Sequence, residues 1–174
     1  MIKKSGGFTL IEVVVYIGLF AIIVGGAFVT AYSIIDSIGR NQTKAMIQEE
    51  GDFLIGKINW AFSGAQSITL PAIIPPAKSA SGSTLSLAKW DTSIGNPIVI
   101  TPSGSDLVIS RGPNDPRPLN NSNIQVSDLN FEHISTLGDG ITPESVKSSF
   151  TLSAKTPRGE IISHTFSTTN YLRK

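Results

Sequence analysis

One carboxylate lies where a carboxylate is costly. From Phe8 to Ile35 the chain runs for 28 residues with Glu12 as its sole formal charge. A charged side chain in hydrocarbon costs on the order of 3 kcal/mol and is functional by default. Glu12 therefore calls for a partner of opposite charge, or for a depth from which its head can snorkel to the interface. The remaining candidates are weaker. His133 and His164 sit in strand-like segments without a partner spacing, and a site needs convergent groups. Asp106, Asp115, Asp128 and Asp139 are scattered through loops and lack the ligand order of a calcium loop. No HExxH, phosphate-binding Gly-rich loop or nucleophile elbow occurs. The chain has no cysteine, which removes disulfides, thiolate metal sites and thiol nucleophiles. The expectation is no catalytic residue, no cofactor, no metal and no enzyme.

The element that must position Glu12 is a helix. Residues 1–7 read Met-Ile-Lys-Lys-Ser-Gly-Gly, a short basic leader. The apolar run that follows exceeds the roughly 20 helical residues needed to cross a bilayer core of about 30 Å. Lys3 and Lys4 favour a cytoplasmic N-terminus. A secretory signal would have an apolar core of about 7–15 residues and a small-x-small cleavage site. Gly25-Gly26-Ala27 imitates the site, but the run is about twice too long. A plain single-pass anchor fits length and charge and leaves Glu12 unexplained.

A third reading explains it. Lys4-Ser5-Gly6-Gly7-Phe8-Thr9-Leu10-Ile11-Glu12, followed by an apolar stretch, resembles the N-terminus of type IV prepilins and of the pseudopilins of type II secretion. The resemblance implies cleavage after Gly7 by a membrane aspartyl peptidase, then methylation of the new N-terminal residue, Phe8. It places the family's assembly glutamate on Glu12, with Phe8 as its counterpart. An α-amine has a reference pKa near 8 and is largely cationic. Glu12 lies four residues on, on the same helical face. In a bundle, the carboxylate of one subunit can meet the Phe8 amine of its neighbour. Two unpaired charges in lipid are costly; paired, they fix one axial offset. Implied partners are the prepilin peptidase and methylase, other pilin-like subunits, an inner-membrane assembly platform and lipid. The chain departs from many major pilins in having no proline in the apolar run, so any unwinding falls to Gly25-Gly26. Gly26-x-x-x-Thr30 and Ala27-x-x-x-Ala31 have the spacing that admits close helix approach.

Helical patterning continues past Asp36. Ile47, Leu54, Ile58 and Phe62 form an apolar stripe with polar residues between them. Gly39, Gly51 and Gly56 weaken that helix, and Ser63-Gly64 is a stop. One helix is expected from about Thr9 to Phe62. Beyond it, the Pro75-Pro76 and Ser79–Ser83 stretches read as a flexible connection. Strands are expected at Thr84–Leu87, Pro97–Thr101, Asp106–Ser110, Ile124–Ile134, Ser145–Lys155 and Glu160–Leu172, with a hairpin turn at Thr156–Gly159. Gly112–Asn123, rich in Pro and Asn, reads as an irregular exposed loop and a candidate contact surface.

The fold class expected is α+β: a long N-terminal transmembrane and assembly helix on a mostly antiparallel sheet, the pilin lollipop. Its parts are leader 1–7, membrane helix 8–35, soluble continuation 36–64 and β-rich domain 65–174. Formal net charge is only +1, and no basic stripe points to nucleic acid. Faint likenesses of Glu49–Ile68 and Thr169–Arg173 to larger minor pilins and J-type pseudopilins suggest a minor, filament-initiating subunit. The expected location is the bacterial inner membrane, N-terminus inside and domain outside. A membrane-tethered binding domain that never polymerises is the alternative.

Overall fold

In the computed structural model, described at residues 7, 9–75, 77–91, 93, 95–112, 115–135 and 143–172, one helix is followed by nine strands. Helix α1 spans Leu10–Phe62. The strands are β1 (Ala65–Leu70), β2 (Ser79–Gly82), β3 (Leu85–Lys89), β4 (Ile98–Ser103), β5 (Asp106–Arg111), β6 (Pro116–Pro118), β7 (Ile124–Ile134), β8 (Ser145–Lys155) and β9 (Ile161–Tyr171). The chain divides into two compact units, Met1–Asn41 and Gln42–Lys174.

The first unit holds the apolar part of α1. Leu10, Ile11, Phe20, Ile22, Ile23 and Val29 are each at least two-thirds exposed. So continuous an apolar surface is not a water-facing one. One described helix is long and apolar enough to cross a membrane.

In the second unit the rest of α1 packs against two antiparallel sheets, one in the order β1-β3-β4-β5-β6 and one in the order β2-β7-β8-β9. This is an α+β, pilin-like architecture. The apolar stripe is the reason the helix persists there: Ile47, Leu54, Ile58 and Phe62 are all buried. They join Leu85, Leu87, Ile98, Ile100 and Leu107 from the first sheet and Phe131, Val146, Phe150, Leu152 and Phe166 from the second in one core. Gly64, with φ +73°, takes the left-handed conformation that ends the helix.

The last turn of α1 carries no basic residue, so its free carbonyls need a cation from elsewhere. Lys89 at the end of β3 supplies it. Its ammonium donates to the Trp60 carbonyl at 3.1 Å and lies 4.2 Å from the centre of the Trp60 ring. Arg111 stands over the same ring at 4.8 Å. Burial holds the Lys89 ammonium below the usual lysine value, and Arg111 pushes the same way. Replacing Lys89 with Met keeps the stem and leaves the carbonyl without its donor. A loss of about 1 kcal/mol is expected, read as a lower urea midpoint. Because the folded value is lowered, the natural chain gains stability as pH rises from that value towards 10.5. The Met variant should lack this rise.

Three segments depart from the sequence expectation. Ser79–Ser83, read as a flexible connection, contains β2, which pairs with Phe131–Ile134 of β7. Ala65–Leu70, given no strand, forms β1 against β3. Gly112–Asn123, read as irregular and exposed, contains β6, which pairs with Val108–Ser110 of β5. The far end of that loop is tied down further. Asn120 is buried; it accepts from the Leu107 amide at 2.7 Å and donates to the Ile124 carbonyl at 2.7 Å. The Asn121 amide reaches Glu50 Oε1 on α1 at 2.8 Å. Prolines bar a central strand but permit an edge one, and that is where they sit.

Candidate functional site

Gly7 is described, exposed and outside the helix. Phe8, the expected methylation and assembly residue, lies outside the described residues. Thr9 then nucleates α1: its carbonyl accepts from the Glu12 amide at 3.1 Å and the Val13 amide at 3.3 Å. Glu12 is the acidic residue of the first turn, where the unpaired amides of a helix start favour a negative charge. It is half-buried among exposed neighbours.

Its nearest described partner was not anticipated. The Tyr16 hydroxyl donates to Glu12 Oε1 at 3.3 Å from one turn further along. The (i, i+4) spacing was visible in the sequence, and a phenol is among the few groups that can lie in an apolar face and still donate. Glu12 thus keeps one oxygen partly satisfied by its own helix.

Further along, the small residues face open space. A side chain built at Gly18, Gly25 or Gly26 would meet nothing within 4 Å. Nothing inside the chain requires glycine there, and close approach by another helix is the use such positions have in membranes. Thr30 donates its hydroxyl to the Gly26 carbonyl at 2.9 Å, removing a polar group from the apolar surface.

The other candidates fall apart as sites. Asp106 accepts from Asn120, and Asp115 pairs with Arg117 at 2.9 Å, which raises the arginine pKa further. Asp128 sits at φ 52° in a bulge of β7, a conformation Asp tolerates; Asp139 lies outside the described residues. Among the described residues no group of three acidic or histidine side chains gathers where a metal would bind. His133 is buried and doubly engaged, 2.7 Å from the Pro71 carbonyl at Nδ1 and 2.7 Å from Glu144 at Nε2. It is a satisfied core histidine. His164 lies edge-on to Phe166 at 4.7 Å.

A family model, the prokaryotic N-terminal methylation motif, matches residues 2–28. The chain has the type IV pilin-like N-terminus. The match covers Lys3 and Lys4, the Gly7-Phe8 pair, Glu12, Tyr16, Gly18, Gly25 and Gly26. The matched residues run into the described helix that is long and apolar enough to cross a membrane. Neither a curated protein nor a solved structure matches the chain.

Proposed function

We propose that this chain is the precursor of a filament subunit, minor and filament-initiating, of a type IV pilus or a type II secretion pseudopilus. The observation that carries the proposal is a methylation-motif segment that opens an exposed, apolar stretch of helix, Leu10 to Ile35, with Glu12 as its sole charge. In this reading residues 1–7 are the leader and 8–35 span the cytoplasmic membrane with the N-terminus inside. Residues 36–64 continue the helix, and 65–174 form the β-rich domain on the outer side. Prepilin peptidase cuts after Gly7 and methylates Phe8. The assembly platform then brings helices together, and Glu12 of one subunit takes the Phe8 amine of the next. The family's work is structural, and no reaction is assigned to this chain. The faint likeness of Glu49–Ile68 and Thr169–Arg173 to larger minor subunits, with the lack of proline in the span, supports the minor role. The Gly112–Asn123 loop no longer adds to it, since that loop is partly paired.

Processing gives the direct test. Intact mass of the membrane-extracted protein should show loss of residues 1–7 and gain of one methyl group. A mature N-terminus near Ala27 would establish a secretory signal instead.

A further inference from the structure

One cleft in the second unit gathers charge of a single sign. Phe53 and Lys57 stand one turn apart on α1, and Ile109 and Arg111 share a face of β5. Arg117 of β6 pairs opposite Ile109. With Asp115, Pro118 and Leu119 these residues line a cleft of about 210 Å³.

Three cations from three elements share that cleft with one carboxylate, and the carboxylate is taken. Asp115 holds Arg117 at 2.9 Å. Among the described residues neither Lys57 nor Arg111 has an acidic partner. Each lies over an aromatic ring instead, Lys57 at 5.1 Å from the centre of Phe53 and Arg111 at 4.8 Å from that of Trp60. A ring steadies a cation without neutralising it. Beyond the Trp60 ring Arg111 meets a like charge: burial, and after it Arg111, hold Lys89 below the usual lysine value. Two positive charges thus stand at the cleft with no counter-ion in the chain.

The surface between them is apolar. Phe53 is 46% exposed, Ile109 is buried, Leu119 is half-buried and Pro118 is exposed. A cavity of about 150 Å³ holds one benzene ring, so this cleft has room for one ring and a carboxylate. A bare inorganic anion would use the charges and leave the apolar floor wet. A neutral apolar molecule would cover the floor and leave the charges unmet.

We infer that the cleft binds an organic carboxylate, with its oxygens on Lys57 and Arg111 and an apolar body of about one ring on Phe53, Ile109 and Leu119. The planar fork of arginine suits a carboxylate, and the apolar body adds affinity by leaving water. The acid is a free small molecule or the C-terminus of a peptide ending in an apolar residue; the recognised chemistry is the same. The inference stands apart from the N-terminal reading, which other residues and another readout test.

Titration of the full chain in a non-ionic detergent, followed by residue-resolved amide NMR shifts, tests it. Phenylacetate should give saturable shifts at 53–57, 109–111 and 117–119. It should bind at least about fivefold more tightly than phenylacetamide or inorganic phosphate, since charge-assisted bonds are roughly twice as strong as neutral ones. Lys57→Gln should keep the thermal midpoint and weaken phenylacetate by about three- to fivefold, the range of a partly exposed ion pair. Raising ionic strength from about 0.01 to about 0.15 M should weaken it too. A short peptide ending in phenylalanine, with a free or an amidated C-terminus, separates the sources: tighter binding of the free form than of phenylacetate assigns the acid to a chain end, and the reverse to a small molecule. Equal affinity for phenylacetate and phenylacetamide would overturn the inference. So would phosphate binding as tightly as phenylacetate, or the absence of saturable shifts at these residues. Should Lys57→Gln lower the midpoint, the ligand series on the unaltered chain still decides.

Discussion

Glu12→Ala is expected to be cleaved, methylated and retained in the membrane, yet to fall at least about tenfold in filaments or pseudopili. Each part has its own cause. In the proposed reading the peptidase reads residues 1–7 and the Gly7-Phe8 junction, which the change leaves alone. Removing a carboxylate only makes the span more apolar, so anchoring is preserved. In the proposed reading, what disappears is the partner for a neighbour's amine. A loss of about 1.4 kcal/mol per interface already gives tenfold, and an unpaired ammonium in lipid costs more than that. Glu12→Gln separates shape from charge and should fail as Ala does. Tyr16→Phe removes only the 3.3 Å donor and should lower incorporation far less. Quantitative proteomics of sheared filaments beside the membrane fraction measures all three. Normal incorporation of Glu12→Ala would sink the pairing argument.

The second large effect concerns a residue that weakens the helix on paper. Gly51→Ala would drive its methyl into the Phe166 ring at Cζ and Cε1. The ring is nine-tenths buried and stacked on Phe150 at 5.6 Å, and Phe150 is itself fully buried. Overpacking of this kind costs about 1–3 kcal/mol, and a clash this deep belongs at the upper end. The better helix propensity of alanine returns only about 1 kcal/mol. The clash wins, and the net loss should be about 2 kcal/mol. Gly56 on the same helix is the control. Its methyl would meet nothing within 4 Å, so Gly56→Ala should stabilise by about 0.5–1 kcal/mol. Thermal midpoints should therefore move in opposite directions. A Phe166→Leu background should soften the Gly51→Ala loss. Two midpoints rising together would mean that the helix does not approach β9 as described.

These two glycines mark where the sequence was legible and where it was not. The stripe Ile47, Leu54, Ile58 and Phe62 announced the buried face of α1, and Ser63-Gly64 its end. Ile124–Ile134 and Ser145–Lys155 matched β7 and β8 to the residue, because central strands must alternate to bury one face. The misses were β1, β2 and β6, all at sheet edges. An edge strand is made by the neighbour it bonds to, and its own residues are chosen against pairing. Propensity therefore reads it as loop. Gly51 looked like a defect for a related reason, since the ring that requires it is 115 positions away in the chain. At the site the motif was plain. The Tyr16 hydroxyl was not legible because a tyrosine within an apolar run reads as one more bulky side chain of the span. The Glu144 and Pro71 contacts of His133 are non-local and left no mark in the spacing.

Only Ser63 and Gly64 separate α1 from β1, and the helix reaches them as part of the core of both sheets. Tension applied to the part of α1 in the second unit therefore falls directly on its own packed residues. It must shear Ile47, Leu54 and Ile58 out of their packing all at once, whereas a terminal strand pulled sideways would unzip one hydrogen bond at a time. Resistance under load is set by the rate of forced unfolding and not by equilibrium stability. A pulling measurement from Gln42 of α1 should accordingly show a single high rupture step, with Leu54→Ala lowering it more than a substitution at an exposed position of β9 such as Ser163.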